Sequence, residues 1–310
     1  MRRGKARATP QRRAGHARRK ARAKNVAGAG LDQLSTRAIA LAIHREDATV
    51  AQAVRRELPA ITRATDAIVH ALASGGRLIY VGAGTSGRLA VLDAAECPPT
   101  FGVPARLVTA VIAGGRRALT SAAEEVEDSA IRGQRDLAAK RITRRDIVVG
   151  ITASGATPYV LGALRFARTR AAATIGVTAN RNSPITRLAA ITIAAQTGAE
   201  VIAGSTRMKA GTAQKMILNL LSTTAMVRLG HVYDHWMVDV ALTNRKLRLR
   251  GVRILQEAAG ASAARAMRAL GQANGNLRVA LIMLKTKTAT AEAKRRLRSA
   301  GGNLRRALGE

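Results

Sequence analysis

Hydroxyls set among glycines, and two isolated acidic patches around Glu96 and Glu127, are the groups in this chain best suited to chemistry. The segment GAGTSGR (82–88) follows the apolar run RLIYV and leads into a helical stretch, so Gly84, Thr85 and Ser86 stand at a strand-to-helix turn. Backbone N–H groups, the positive end of a helix dipole and hydroxyl donors converge on one phosphate at such a turn. No acidic residue follows a second strand at the ribose-binding distance of a dinucleotide site. The expected ligand is therefore a small phosphate ester. A second loop repeats the design: DIVVGI (146–151) runs into TASGATPYV, placing Thr152, Ser154 and Thr157 around Gly155 before another helix. Either loop alone reads equally as an ordinary βα turn, but two of them on one sheet can hold a phosphate from two sides, because ligands gather at the carboxyl ends of parallel strands.

The carboxylates need more care. Glu96 follows GRLAVLDAAE and precedes Cys97, Pro98 and Pro99, which predicts that the helix stops there. A glutamate at a helix C-terminus opposes the dipole and gains nothing locally, which favours function over a solvated helix end. In the cluster Glu124, Glu125, Glu127, Asp128, most members must be solvated surface, yet Glu124 and Glu127 share a helical face and Asp128 lies near Glu124. Downstream, GSTRMKAGTAQK brings Ser205, Thr206, Arg207 and Lys209 to the start of a long apolar helix, a pattern that fits an anion site or a capped helix equally well.

Positioning these groups requires a sheet. Strands are expected near 77–81, 105–112, 146–151, 173–178 and 189–194, separated by helical stretches, the pattern of a doubly wound five-stranded parallel sheet. Residues 34–73 read as helices ahead of it, and after about Gly260 three short amphipathic helices are expected. The domain reading is a basic tail over 1–30, an α/β domain over 31–258, and a small three-helix domain over 259–310. Rival chemistries find no support. A lone cysteine, Cys97, makes neither a disulfide framework nor a cysteine metal site within the chain, and His231 and His235, read as helix surface or interface groups, lack the glutamate of a zinc-binding HExxH. No cofactor and no metal are expected.

The chain of 310 residues carries 52 Lys and Arg against 19 Asp and Glu, a formal charge of +33. Eleven of the cations lie in the first 24 residues, a stretch too polar to fold and expected to be disordered, with sequence-blind, salt-sensitive binding to polyanions as its available function. Removing those eleven still leaves +22, so the basic bias belongs to the whole chain and argues against a specific role for the tail. There is no signal-peptide h-region and no membrane-spanning run, so a cytoplasmic protein is expected.

Four segments, RLIYVGAGTSGRLAVLDAAECPPTFG (77–102), AGGRRALTSAAEEVEDS (113–129), TASGATPYV (152–160) and GSTRMKAGTAQKMILNLLST (204–223), resemble the N-acetylmuramic acid 6-phosphate etherases of the sugar isomerase (SIS) fold group. The resemblance covers most of the chain from about Asp32 onward. It implies cleavage of the lactyl ether of N-acetylmuramic acid 6-phosphate to N-acetylglucosamine 6-phosphate and D-lactate, a step in recycling peptidoglycan sugars, by a cofactor-free homodimer with a small helical C-terminal domain. By the same likeness Glu96 is the acid at the lactate oxygen, Glu127 the base at C2 (roles that could be exchanged), and Glu124 a sugar contact; Gly84, Thr85, Ser86, Ser154, Gly155 and Thr157 hold the phosphate, with Ser205 and Lys209 nearby. Two features depart from the family: the region ARAKNVAGAG (21–30) keeps Asn25 but lacks the usual acid and proline, and Ala156 stands where a basic residue is common. The chemistry itself needs a pair of carboxylates, since an ether leaves only when a neighbouring carbonyl acidifies a C–H and an acid protonates the departing oxygen. A phosphosugar isomerase and a non-catalytic phosphosugar-sensing regulator are the alternatives.

Overall fold

The computed structural model describes residues 28–121, 124–240, 242 and 244–310; nearly all of the basic tail, Asn25 and the side chain of Glu124 lie outside that set. The chain forms two compact units, one running to Ala94 and then from Arg106 to Leu221, the other made of Ala95–Ala105 and Ser222–Glu310.

The first unit is built on five parallel strands: β1 (Leu78–Gly82), β2 (Val108–Ile112), β3 (Ile147–Ile151), β4 (Ala173–Thr178) and β5 (Ile191–Ala194), in the spatial order β2-β1-β3-β4-β5. All five lie where the apolar runs predict them, with β2 and β5 starting two or three residues late. Strands β1 and β3 are buried along their whole length, as central parallel strands covered on both faces must be. The chain leaves β1 toward β2 on one side and returns to β3 on the other. This reversal opens a crevice at the carboxyl ends of β1 and β3, whose register places Gly82 beside Ile151. Both hydroxyl loops leave the sheet at that point.

Three helices precede the sheet: α1 (Thr36–Asp47), α2 (Val50–Arg55) and α3 (Leu58–Ala73). Ser35 caps α1 by accepting from the Ala38 N–H at 3.3 Å. Pro59 breaks the second helical run, since a residue without an N–H fits only a first turn. Helix α4 (Gly84–Phe101) corrects the expectation that the prolines end it at Glu96. The proline φ is itself helical, so Pro98 and Pro99 cost two backbone hydrogen bonds without forcing the chain out; one further turn forms and closes through the Gly102 N–H on the Pro98 carbonyl at 2.9 Å. Next come α5 (Glu124–Glu127), α6 (Ala130–Ala138), α7 (Pro158–Thr169), α8 (Ile185–Leu188) and α9 (Lys209–Arg228).

The second unit holds a hairpin of β6 (Val232–Tyr233) and β7 (Trp236–Met237) and helices α10 (Arg245–Ala259), α11 (Ala263–Gln272), α12 (Leu277–Thr286), α13 (Thr290–Ser299) and α14 (Leu304–Leu308). One core, including Tyr233, Leu255, Leu270, Leu281, Ile282 and Leu304, joins them. The three expected helices are α11, α12 and α13, but the unit reaches further: α10 and the hairpin contribute to the same core, and α14 adds a fourth helix after residue 260. His231 and His235 also lie off any helix. Gly230, at φ +86°, turns the chain out of α9 and into the hairpin.

Candidate active site

The first loop becomes a cradle through its helix. The Gly87 N–H bonds the Ala83 carbonyl at 3.1 Å, so the N–H groups of Gly84, Thr85 and Ser86 precede the first intrahelical bond of α4 and face the crevice end of the strands. Gly84 has φ +51°, a conformation costly for any residue with a Cβ. Ser86 is buried and Thr85 half-buried.

In the second loop the three hydroxyls act on one another. Thr152 Oγ1 lies 2.7 Å from Thr157 Oγ1 and 3.3 Å from Ser154 Oγ, and Ser154 Oγ accepts from the Ala156 N–H at 3.2 Å. Thr157 opens α7 without capping it by its side chain. Gly155, at φ +68°, is held from behind: a methyl there would meet Ser183 Oγ at 2.0 Å and Thr178 Oγ1 at 2.8 Å. The rim of β4 thus fixes the loop that leaves β3.

Glu127 belongs with these loops. A methyl placed on Gly84 would come within 2.9 Å of Glu127 Oε1, so the carboxylate stands directly over the first cradle. Two devices hold it there. Arg88, one turn into α4, donates from Nε to the Leu119 carbonyl at 3.2 Å and from Nη2 to the Ser121 carbonyl at 3.0 Å, tying down the segment that leads to α5. On the far side Ser129 caps α6, donated to by the Arg132 N–H at 3.2 Å, and α6 is locked to α7 by two glycines. A methyl on Gly133 would lie 1.9 Å from the Tyr159 carbonyl oxygen, and one on Gly162 2.0 Å from that of Ala130. The Tyr159 hydroxyl donates to Asp136 at 2.6 Å across the same crossing, and its burial, with that carboxylate beside it, holds the phenol far above its usual range. Because α7 starts at the second loop, the helix pair couples Glu127 to Ser154 and Thr157.

Other candidate residues have other surroundings. Glu96 is exposed near the end of α4 and lies within the second unit. Glu124 begins α5. Ser205 is half-buried in the turn before α9. Lys209 is buried, with its ammonium on Glu46 of α1, while its N–H and that of Ala210 donate to Glu200 at 2.9 and 3.0 Å. The chain's own carboxylate therefore caps α9, and the capped-helix reading of GSTRMKAGTAQK is the one this geometry supports. The helix still touches the cradle, since a methyl on Gly211 would lie 3.4 Å from Thr85 Cγ2. Arg88, Glu46 and Glu200 were not singled out in the sequence, and a carboxylate nine residues ahead of a helix is no motif.

Family models match in two overlapping stretches, the glucokinase regulatory protein N-terminal SIS domain over residues 60–168 and the SIS domain over 115–224. Among solved structures, the phosphoheptose isomerase from Neisseria gonorrhoeae is 18% identical with a TM-score of 0.49, covering 62% of this chain and 98% of that one. The one from Francisella tularensis is 21% identical with a TM-score of 0.45, covering 58% and 93%. The full-length relatives are far nearer. Proteins of Yersinia pestis (strain Pestoides F) and Yersinia pseudotuberculosis (serotype O:1b, strain IP 31758), both named N-acetylmuramic acid 6-phosphate etherase, are each 50% identical over 285 residues, which is 92% of this chain and 97% of theirs. With half of the aligned positions shared from end to end, the chain belongs to the N-acetylmuramic acid 6-phosphate etherase family.

Proposed function

We propose that this chain cleaves the lactyl ether of N-acetylmuramic acid 6-phosphate by elimination and hydration. The 6-phosphate lies in the crevice between β1 and β3, met by the N–H groups of Gly84 to Ser86 and by the hydroxyls of Ser86, Ser154 and Thr157. In the open-chain aldehyde, Glu127 takes the C2 proton. The resulting enolate expels the substituent at C3, and Glu96 protonates the lactate oxygen as the C–O bond breaks. Water then adds to C3 with Glu96 as base, and Glu127, its proton exchanged with solvent in the meantime, protonates C2, so each carboxylate ends as it began. Membership of the etherase family is the ground for the reaction. The observation that carries the assignment of residues is the Glu127 carboxylate over Gly84, 2.9 Å from the position of its missing methyl. The cytoplasm as the place of action and a homodimer as the assembly follow from the family likeness; no helix of the described residues is long and apolar enough to cross a membrane.

The test is D-lactate release from N-acetylmuramic acid 6-phosphate in deuterated water, with wild type, Glu96→Gln and Glu127→Gln side by side. Lactate with deuterium at C2 of the product is the expected result, and Glu127→Gln should abolish C2 exchange. A folded wild type that binds the sugar phosphate without releasing lactate would refute the etherase reading. Isomerised product would then indicate an isomerase, and binding without turnover a sensor of the kind suggested by the match to the glucokinase regulatory protein model.

A further inference from the structure

A cavity of about 350 Å³ opens at the carboxyl ends of β4 and β5, one strand on from the crevice. The end of β4 brings Asn180 to it, the end of β5 brings Thr197, and the turn before α9 brings Thr206. Thr197 is 6% exposed, and its hydroxyl has no hydrogen-bond partner among the described residues. A buried hydroxyl left unpaired costs free energy, which a polar atom of a ligand would relieve. Asn180 is oriented by its own loop. Its Oδ1 accepts from the Asn182 N–H at 3.1 Å, its N–H donates to Thr178 Oγ1 at 3.1 Å, and its carbonyl accepts from Ser183 Oγ at 2.6 Å, which leaves Nδ2 to donate elsewhere. Thr178 and Ser183 also back Gly155, so this wall and the second loop share one frame. On the other side, a methyl on Gly211 would lie 3.4 Å from Thr85 Cγ2 and 3.6 Å from the Thr206 carbonyl oxygen, so Thr206 stands beside the first loop.

The walls suit a neutral polar group. None of the described lining residues is cationic, and the Glu200 carboxylate among them is taken up by the N–H groups of Lys209 and Ala210. The Lys209 ammonium, 3.8 Å from where a methyl on Gly198 would stand, is paired with Glu46. Two carboxylates thus meet one ammonium, and a further anion such as the lactyl carboxylate is disfavoured there. An amide has no such conflict, and the small side chains of Ala179 and Ala210 leave room for a methyl.

We propose that this cavity is the subsite for the substrate's acetamido group, whose carbonyl oxygen accepts from Asn180 Nδ2 and whose N–H donates to Thr197 Oγ1, with its methyl against Ala179 and Ala210. The inference rests on the reading that the sugar phosphate lies in the crevice between β1 and β3. It makes Asn180 and Thr197 the residues that select a 2-acetamido sugar over one with a hydroxyl at C2.

Binding of N-acetylglucosamine 6-phosphate and of glucose 6-phosphate is measured by calorimetry for wild type, Thr197→Val, Asn180→Ala and Ser154→Ala. Wild type is expected to hold the acetamido sugar at least about tenfold more tightly than glucose 6-phosphate. Thr197→Val and Asn180→Ala should each weaken the acetamido sugar by about threefold to tenfold, the worth of one hydrogen bond, and leave glucose 6-phosphate within about twofold. Thr197→Val removes only a hydroxyl that has no partner, so it should fold at least as stably as wild type; if it does not fold, Asn180→Ala carries the test, with glucose 6-phosphate as the control for any change in the loop. Equal wild-type affinity for the two sugars, or variants that weaken both alike or neither, overturns the proposal; in the last case a raised KM for N-acetylmuramic acid 6-phosphate assigns the cavity to the lactyl group instead. If Ser154→Ala binds glucose 6-phosphate like wild type, the reading of the phosphate site fails instead, and the two-sugar comparison still decides the cavity. A wild type that binds neither sugar overturns both.

Discussion

Lowering the pH from 7 to 4 asks His231 to accept a proton in a place that resists one. Burial is the first cause and the Arg278 cation the second; the Asp239 charge is already met by Arg278 on the same oxygen, and the pKa falls from 6.5 to about 4. Between those values the unfolded chain binds the proton and the folded chain does not, so stability rises with pH and is lost as pH falls through that window. The loss due to this residue is a few tenths of a kcal/mol at pH 7, about 2 kcal/mol at pH 5 and about 3 kcal/mol at pH 4. The chain has a single tryptophan, Trp236, which packs against the core of the same unit, so its fluorescence during urea unfolding reports on this unit. The difference in unfolding free energy between wild type and His231→Gln, followed from pH 7 to 4, should move by about 3 kcal/mol against the wild type, since glutamine does not titrate. A difference that stays flat to within about 0.5 kcal/mol would refute the claim that the fold keeps this imidazole neutral.

Three further outcomes are expected. Gly155→Ala places a methyl 2.0 Å from Ser183 Oγ at a φ of +68°, so the second loop must deform, and sugar phosphate binding measured by calorimetry should be lost even where circular dichroism shows a folded sheet. Ser86→Ala or Ser154→Ala removes one donor to a dianion and should raise KM about tenfold to a hundredfold with a smaller change in kcat. Asp146 accepts from the Arg77 N–H, Nε and Nη2 at 2.9, 3.0 and 2.8 Å and from the Thr143 N–H at 2.8 Å. Burial pushes its pKa up, but those donors outweigh it and hold the carboxyl below 3.8, so its stabilisation is full above that pH and fades only as pH drops further. Asp146→Asn should therefore cost about 3 kcal/mol at pH 7 in urea titrations, and the deficit should shrink at the acid end.

The sheet was readable because buried parallel strands are short, continuous and β-branched, and IVVG or LIYV admits few other uses. The hydroxyl loops were readable as strand-to-helix turns for a related reason, since glycine and serine crowded behind such a strand end it and lead into a helix. Pro98 and Pro99 misled because a missing N–H weakens a helix without ending it, and whether another turn forms depends on what lies beyond. The reach of the second unit was hidden for want of a local marker: α10 buries Ile254 and Leu255 in a core whose other members come up to fifty residues later. Partners distant in sequence were hidden most completely. Nothing near Lys209 announces Glu46, and nothing near Arg88 announces the carbonyls of Leu119 and Ser121.

The paired glycines of α6 and α7 act as a gauge. On the proposed assignment, the substrate's phosphorus and its C2 are a fixed number of bonds apart, and the Gly84–Ser86 loop and Glu127 must stand at a matching span. Neither loop sets that span alone; the closeness of two helices does, down to carbonyls about 2 Å from where a methyl would be. A shift of register or spacing at Gly133 or Gly162 would move Glu127 relative to Ser154 without altering either. On that assignment, selection for longer or shorter phosphosugars is best begun at two buried positions outside the loops and the carboxylate.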